Sequence, residues 1–225
     1  MTADPVFQFV DPPFSFNGPR ARNYPPEVTG NYLLRCMAHR LGWPSLSGRY
    51  LLDYGCGVRF ARTIINLGID VERYVGIDVN RDAIDWLRAN IADPRFAFEH
   101  IDAWNEMYNP NGLRREWWPQ LEWIEGINFD VICLFSVITH QKPEPAKAVF
   151  SLLHHFGSPS TRLYFTAFLD QQIATYAEGD PSRPSLKSTY NPEYLKEIAA
   201  SSGWQVVRAY DESTMQQHTF VADWR

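Results

Sequence analysis

Short apolar runs, several of them closing on a glycine or an acid, recur along the chain and set its predicted elements. Leu51-Leu52-Asp53-Tyr54-Gly55-Cys56-Gly57 and Tyr74-Val75-Gly76-Ile77-Asp78 come first, and Phe96-Ala97-Phe98-Glu99-His100-Ile101-Asp102 follows. The stretch from Phe129 to Ile138 is almost continuously apolar, which is the pattern of a parallel strand buried on both faces. Leu163 to Phe168, Trp204 to Tyr210 and Gln217 to Trp224 complete the series. Helical stretches lie around these runs. Residues 27 to 41 read as a helix with Asn23 or Thr29 as cap and Gly42, then Pro44, as stop. Ala146 to Phe156 reads as another, holding His154 and His155 as surface or packing residues, and Asn191-Pro192-Glu193 starts a third with asparagine as cap and proline in the first turn.

The first two strands carry the chemistry that bears on function. Gly55 and Gly57 allow a tight turn whose amides can approach a ligand with no Cβ in the way, and a carboxylate ending the next strand suits ribose hydroxyls. Asp78 follows Gly57 by 21 residues, close to the roughly 20 of one strand–helix–strand unit. A dinucleotide fingerprint would need a third glycine at position 60, where the chain has Phe60. The pattern therefore predicts a nucleoside-binding α/β enzyme without a pyrophosphate cradle.

Asp53-Tyr54-Gly55-Cys56-Gly57-Val58-Arg59 resembles the D-x-G-C-G-x-G motif of class I S-adenosylmethionine (SAM) dependent methyltransferases, with Arg59 in the place of the last glycine. Arg59 either crowds the methionine end of the cofactor or sets a guanidinium near its carboxylate. The later strands resemble the remaining motifs in order, from about residue 48 to the C-terminus. The resemblance implies a Rossmann-like, doubly wound, seven-stranded sheet, mostly parallel with strand seven antiparallel. It implies SAM as cofactor and S-adenosylhomocysteine (SAH) as product. By residue, Asp53, Gly55, Cys56 and Gly57 would face the methionine and ribose, Asp78 and Val79 the ribose, Asp102 and Ala103 the adenine, and Ser136 the methyl-transfer region. The segment Ser136-Val137-Ile138-Thr139-His140 resembles the S-V-F-T-H stretch of methyltransferases from sugar and glycan pathways.

That resemblance, with the near-neutral pKa of histidine, makes His140 a candidate base for an alcohol proton and points to O-methylation. The structural alternative is that His140 caps the following helix or bonds within the core. Asp170, just past strand five, could orient a hydroxyl or help hold a divalent ion with Asp102 and Glu106. No spacing demands a metal, and none is assigned. From Asp102 to Phe129 the chain spends 27 residues and places Trp104, Tyr108, Trp117, Trp118 and Trp123 there. These aromatics either pad a core or dimer interface, or form a platform for sugar rings, and residues 104–127 are read as an insertion. Asn191-Pro192-Glu193-Tyr194 is similar to the N-P-P-Y signature of amino-methylating enzymes on nucleic acids but lies far from strand four, where that signature belongs.

Composition narrows the rest. A chain of 225 residues suits one domain with additions. We divide it into an arm and lead-in helix at 1–47, a lid, substrate or dimer contact, and a catalytic domain at 48–225. The arm combines Pro5, Pro12, Pro13, Pro19, Pro25 and Pro26 with Phe7, Phe9, Phe14, Phe16 and Tyr24, which excludes a long helix and permits an ordered wrap. Residues 179–185 read as a surface loop. A net charge of −5 argues against a nucleic-acid partner. No apolar run is long enough to span a bilayer, the start lacks a secretory signal's pattern, and Cys36, Cys56 and Cys133 offer no disulfide framework or metal spacing. The expectation is a cytoplasmic enzyme, a possible homodimer, acting on a small-molecule or oligosaccharide acceptor. Methylation of an amino group and SAM binding without catalysis are the alternatives.

Overall fold

The computed structural model describes residues 8–16, 24–105, 108–114, 118–179, 187–211 and 217–225. Helix α1 (Pro26–Arg40) leads into β1 (Tyr50–Tyr54), α2 (Arg59–Asn66), β2 (Arg73–Asp78), α3 (Arg81–Asn90) and β3 (Phe96–His100). After a 3-10 turn at Pro119–Ile124 come β4 (Val131–Leu134), a second 3-10 turn at Ile138–His140, α4 (Pro143–His155) and β5 (Arg162–Leu169). The chain closes with β6 (Tyr176–Glu178), β7 (Ser188–Tyr190), α5 (Pro192–Ser201), β8 (Trp204–Tyr210) and β9 (His218–Trp224).

Strands β3, β2, β1, β4 and β5 are neighbours in that order and parallel throughout. Strand β9 runs antiparallel between β5 and β8. This is the mixed, doubly wound sheet expected. The near-continuous apolar runs have a direct cause, because alternate residues of each strand enter two different cores. Leu52, Val75, Ile77, Ile132, Leu134, Leu163 and Phe165 point to one core, with Val149 and Phe150 of α4 and Leu195 and Ile198 of α5. Leu51, Tyr74, Val131, Cys133 and Tyr164 point to the other, with Leu33, Leu34 and Met37 of α1, Ile64 of α2 and Ile84 of α3. A polar residue on either face of a central strand would lie in a core, so the pattern leaves few.

Three expectations change. The apolar run beginning at Phe129 is strand only over Val131–Leu134, since Ser136 turns the chain with φ of 58° and the rest forms the turn that carries His140. Strands β6 and β7 form an extra hairpin, β7 lying parallel to the end of β5. Strands of three residues are too short for their alternation to show in sequence. Residues 180–185 of the expected surface loop lie outside the described residues, as do Asn23, Glu106 and Trp117; Gly179 closes the hairpin through its N–H to Lys187 O at 2.8 Å. Helix α1 has no side-chain cap at its start, and Thr29 bonds the Pro26 carbonyl from inside it. Asn191 caps α5 as expected, accepting from the N–H groups of Glu193 and Tyr194. Among the described residues no helix is long and apolar enough to cross a membrane.

Candidate active site

A cavity of about 760 Å³ opens over the carboxyl ends of β1, β2 and β4, where ligands bind in doubly wound folds. Its floor is the turn after β1. Gly55 and Gly57 have φ of 77° and 48°, a region that L side chains seldom adopt. A Cβ on Gly55 would also lie 2.4 Å from Val137 Cγ2, so the loop after β4 crosses directly over this glycine. The N–H of Gly57 donates to one Asp78 oxygen and the N–H of Asn80 to the other, both at 2.8 Å. Asp78 is half-buried at the cavity wall; desolvation raises its pKa, and the N–H groups of Asn80 and Gly57 oppose that rise.

Asp53 lies beneath this floor and is buried. Its carboxylate accepts from the Tyr74 hydroxyl at 2.6 Å and from Cys133 Sγ at 3.3 Å. Burial pushes its pKa up to about 6, with the Asp78 charge adding to the rise and those two hydrogen bonds and Arg59 acting against it. Cys56 is buried in the turn, and desolvation holds its thiol well above the ordinary range. Arg59 lines the cavity as the first residue of α2. Among the described residues Ser136 is the sole non-glycine with positive φ, so the backbone at position 59 demands no glycine, and an arginine fits without strain.

The opposite wall follows β4. Phe135, Ser136, Val137, His140 and Gln141 all line the cavity. His140 sits edge-on to the Tyr108 ring, with centroids 6.0 Å apart and planes at 85°. The extra hairpin braces this segment from outside, since the Tyr190 hydroxyl donates to Gln141 O at 2.5 Å and Lys142 pairs with Glu178 at 3.1 Å.

The tryptophan-rich segment contributes a third side. Trp104 and Leu113 are tied by the Trp104 N–H to Leu113 O bond at 2.8 Å, and the Arg114 guanidinium lies 3.6 Å from the Trp104 ring centre. Trp104, Asn105, Tyr108, Arg114 and buried Trp118 line the cavity, whereas Trp123 is 42% exposed and does not. Ala103 reaches the cavity; Asp102 lies beside it and accepts from Asn109 Nδ2 at 2.9 Å. From the arm, Ser15 and Phe16 line the cavity with Pro26 and Thr29 of α1. Asn66 of α2 holds the arm by exchanging hydrogen bonds with both backbone groups of Val10, at 2.8 Å each.

Of the residues singled out in sequence, Asp53, Gly55, Cys56, Gly57, Asp78, Val79, Ala103, Ser136 and His140 share this cavity. Asp170 does not belong to its lining: the carboxylate caps its own turn by accepting from the Gln172 N–H at 2.8 Å. Among the described residues no three His, Cys, Asp or Glu side chains converge as metal ligands. His154 packs its ring on Trp224 at 4.8 Å and bonds the Arg225 carbonyl at 2.8 Å, far from any chemistry. Arg114, Gln141 and Glu144 also line the cavity, and no local pattern in the sequence marks them, because only the fold brings their segments together.

A glycine turn, an acid at the end of the next strand and a cavity over the strand ends together define a nucleoside-binding α/β enzyme. The family model described as a methyltransferase domain matches residues 30–209. The chain belongs to that family and is a class I SAM-dependent methyltransferase. Similar solved structures share the fold at low identity. The 1,6-didemethyltoxoflavin N1-methyltransferase of Burkholderia thailandensis, with bound SAH, is 14% identical over 90% of this chain and 80% of its own, with a TM-score of 0.57. The magnesium protoporphyrin IX methyltransferase of Synechocystis PCC 6803, with bound SAM, is 15% identical over 88% of this chain and 79% of its own, with a TM-score of 0.54. SAM is the cofactor and SAH the product. The residues present fit it, since the Cβ-free turn at Gly55 and Gly57 and the Asp78 carboxylate both border a cavity with room for a nucleoside and an acceptor.

Proposed function

We propose that the protein O-methylates a hydroxyl of a sugar, oligosaccharide or glycan-type small molecule, with His140 as the base. The observation that carries this is the position of His140 on the wall of the same cavity that Gly55, Asp78 and Ser136 border. SAM supplies an electrophilic methyl group on a sulfonium, so the protein's task is to align the acceptor and accept its proton. The backbone from Gly55 to Gly57 would hold the methionine and ribose, and Asp78 the ribose hydroxyls. Val79 would lie beside the ribose, and Ala103 and Asp102 would border the adenine, Asp102 through its backbone because its carboxylate is engaged by Asn109. Trp104 and Tyr108 give the cavity aromatic faces suited to the polarised C–H groups of a sugar ring. In the same proposal residues 1–47 serve as arm and lead-in helix to a domain at 48–225, and Phe9, Phe14 and Tyr24, exposed on that arm, support a homodimer that sedimentation can test.

His140→Ala tests the chemistry. In single turnovers against an acceptor panel led by sugars, its transfer rate should fall about 10²–10⁴-fold, while calorimetric SAH affinity stays unchanged. An unchanged rate would remove His140 as base and favour an amine acceptor, which carries its own lone pair. Asp78→Ala, the companion control, should abolish SAH binding.

A further inference from the structure

Ser136 holds a left-handed backbone conformation, φ 58°, that no other described non-glycine residue adopts. Such a conformation persists where its surroundings over-determine it, and it concentrates at functional sites. Here the surroundings are two buried residues, one on β5 and one just before β9. Thr166 of β5 accepts from the Ser136 N–H through Oγ1 at 2.9 Å. Gln217, at the foot of β9 and 6% exposed, donates from Nε2 to Ser136 Oγ at 2.9 Å and presents Oε1 to the same hydroxyl at 3.2 Å.

The corner has consequences on both sides. It ends the strand that its apolar neighbours would otherwise continue, and it brings Val137 down onto Gly55, where no Cβ fits. It also starts the turn Ile138–His140, whose last residue borders the cavity. Gln217 is absent from the cavity lining, so its action there runs through Ser136. We infer that Gln217 is a positioning residue for methyl transfer: its amide locks the Ser136 corner, and the corner fixes the segment 135–140 against the glycine turn that receives the cofactor. The inference rests on the assignment of this cavity to SAM and the acceptor.

Gln217→Ala, Ser136→Ala and the double variant test it, with SAH as the probe in calorimetry well below the unfolding temperature of each. Each single change should weaken SAH binding about tenfold, and the double change should cost no more than either single, because both break the same link. A purely structural glutamine would give the opposite result, a lower melting temperature with SAH affinity within about twofold of wild type, and that result overturns the inference. Gln217→Met keeps the side chain's length without its hydrogen bonds and carries the same expectations should Gln217→Ala fail to fold. Wild type that fails to bind SAH would instead overturn the cofactor assignment, and the inference with it.

Discussion

Tyr74 donates its hydroxyl to the buried Asp53 carboxylate at 2.6 Å, joining β2 to β1 directly beneath the cavity floor. The two residues are neighbouring strands' contributions to a polar pair in an otherwise apolar layer. Burial and the nearby Asp78 raise Asp53 to about 6, while Tyr74, Cys133 and Arg59 favour its charged form.

Because the folded state raises this acid above its ordinary value of 3.8, the protonated form is the one folding favours. Its contribution is complete below about pH 4 and is lost as pH rises through about 6, for roughly 3 kcal/mol in total. Asp53→Asn should remove that slope. Denaturant unfolding at pH 4.5 and pH 7 should find the variant gaining stability relative to wild type at the higher pH; parallel stability curves would show that Asp53 does not titrate in this range.

The glycines of the turn make a graded test. Both have positive φ, but a Cβ at Gly55 meets Val137 at 2.4 Å and one at Gly57 meets nothing within 4 Å. Gly57→Ala should therefore cost about 1–2 kcal/mol of strain alone. Gly55→Ala adds overpacking and should cost about 2–4 kcal/mol, with SAH binding lost. Equal thermal destabilisation of the two variants would mean that the loop after β4 yields freely.

Arg62 ties the arm to the domain. It pairs with Asp11 at 3.0 Å and with Glu27, whose pKa is lowered overall: burial raises it, and the hydrogen bonds from Arg62 and Asn66 outweigh that. The stabilisation by Glu27 is present above the ordinary glutamate range and fades as pH falls through it. Arg62→Ala should destabilise by about 1–3 kcal/mol, speed cleavage of residues 8–16 by protease, and hasten SAH release by loosening the roof that Ser15 and Phe16 provide. Unaltered cleavage and release would show that the bonds of Asn66 to Val10 and of Gln8 to Asn90 and Ala92 hold the arm without Arg62.

Sequence reasoning reached the glycine turn, Asp78, the parallel strands and α5 because each depends on local chemistry. It missed the β6–β7 hairpin, whose pairing is made by the end of β5 and not by any alternation of its own. It placed Asp170 beside the chemistry from its position past β5, whereas the turn there spends the carboxylate on the Gln172 N–H.

What the sequence determined by itself is the doubly wound sheet and the glycine turn: successive positions of each central strand are apolar because both faces are covered, and the turn after β1 needs residues without a Cβ. What the tertiary structure decided is the rest of the cavity. Ser136 is hydrogen-bonded to Gln217, which lies 81 residues away, His140 meets Tyr108 across it, and the arm is bonded to Asn66 of α2. These arrangements depend on contacts between distant segments, which leave no periodicity in the chain and exist only once the sheet has brought those segments together.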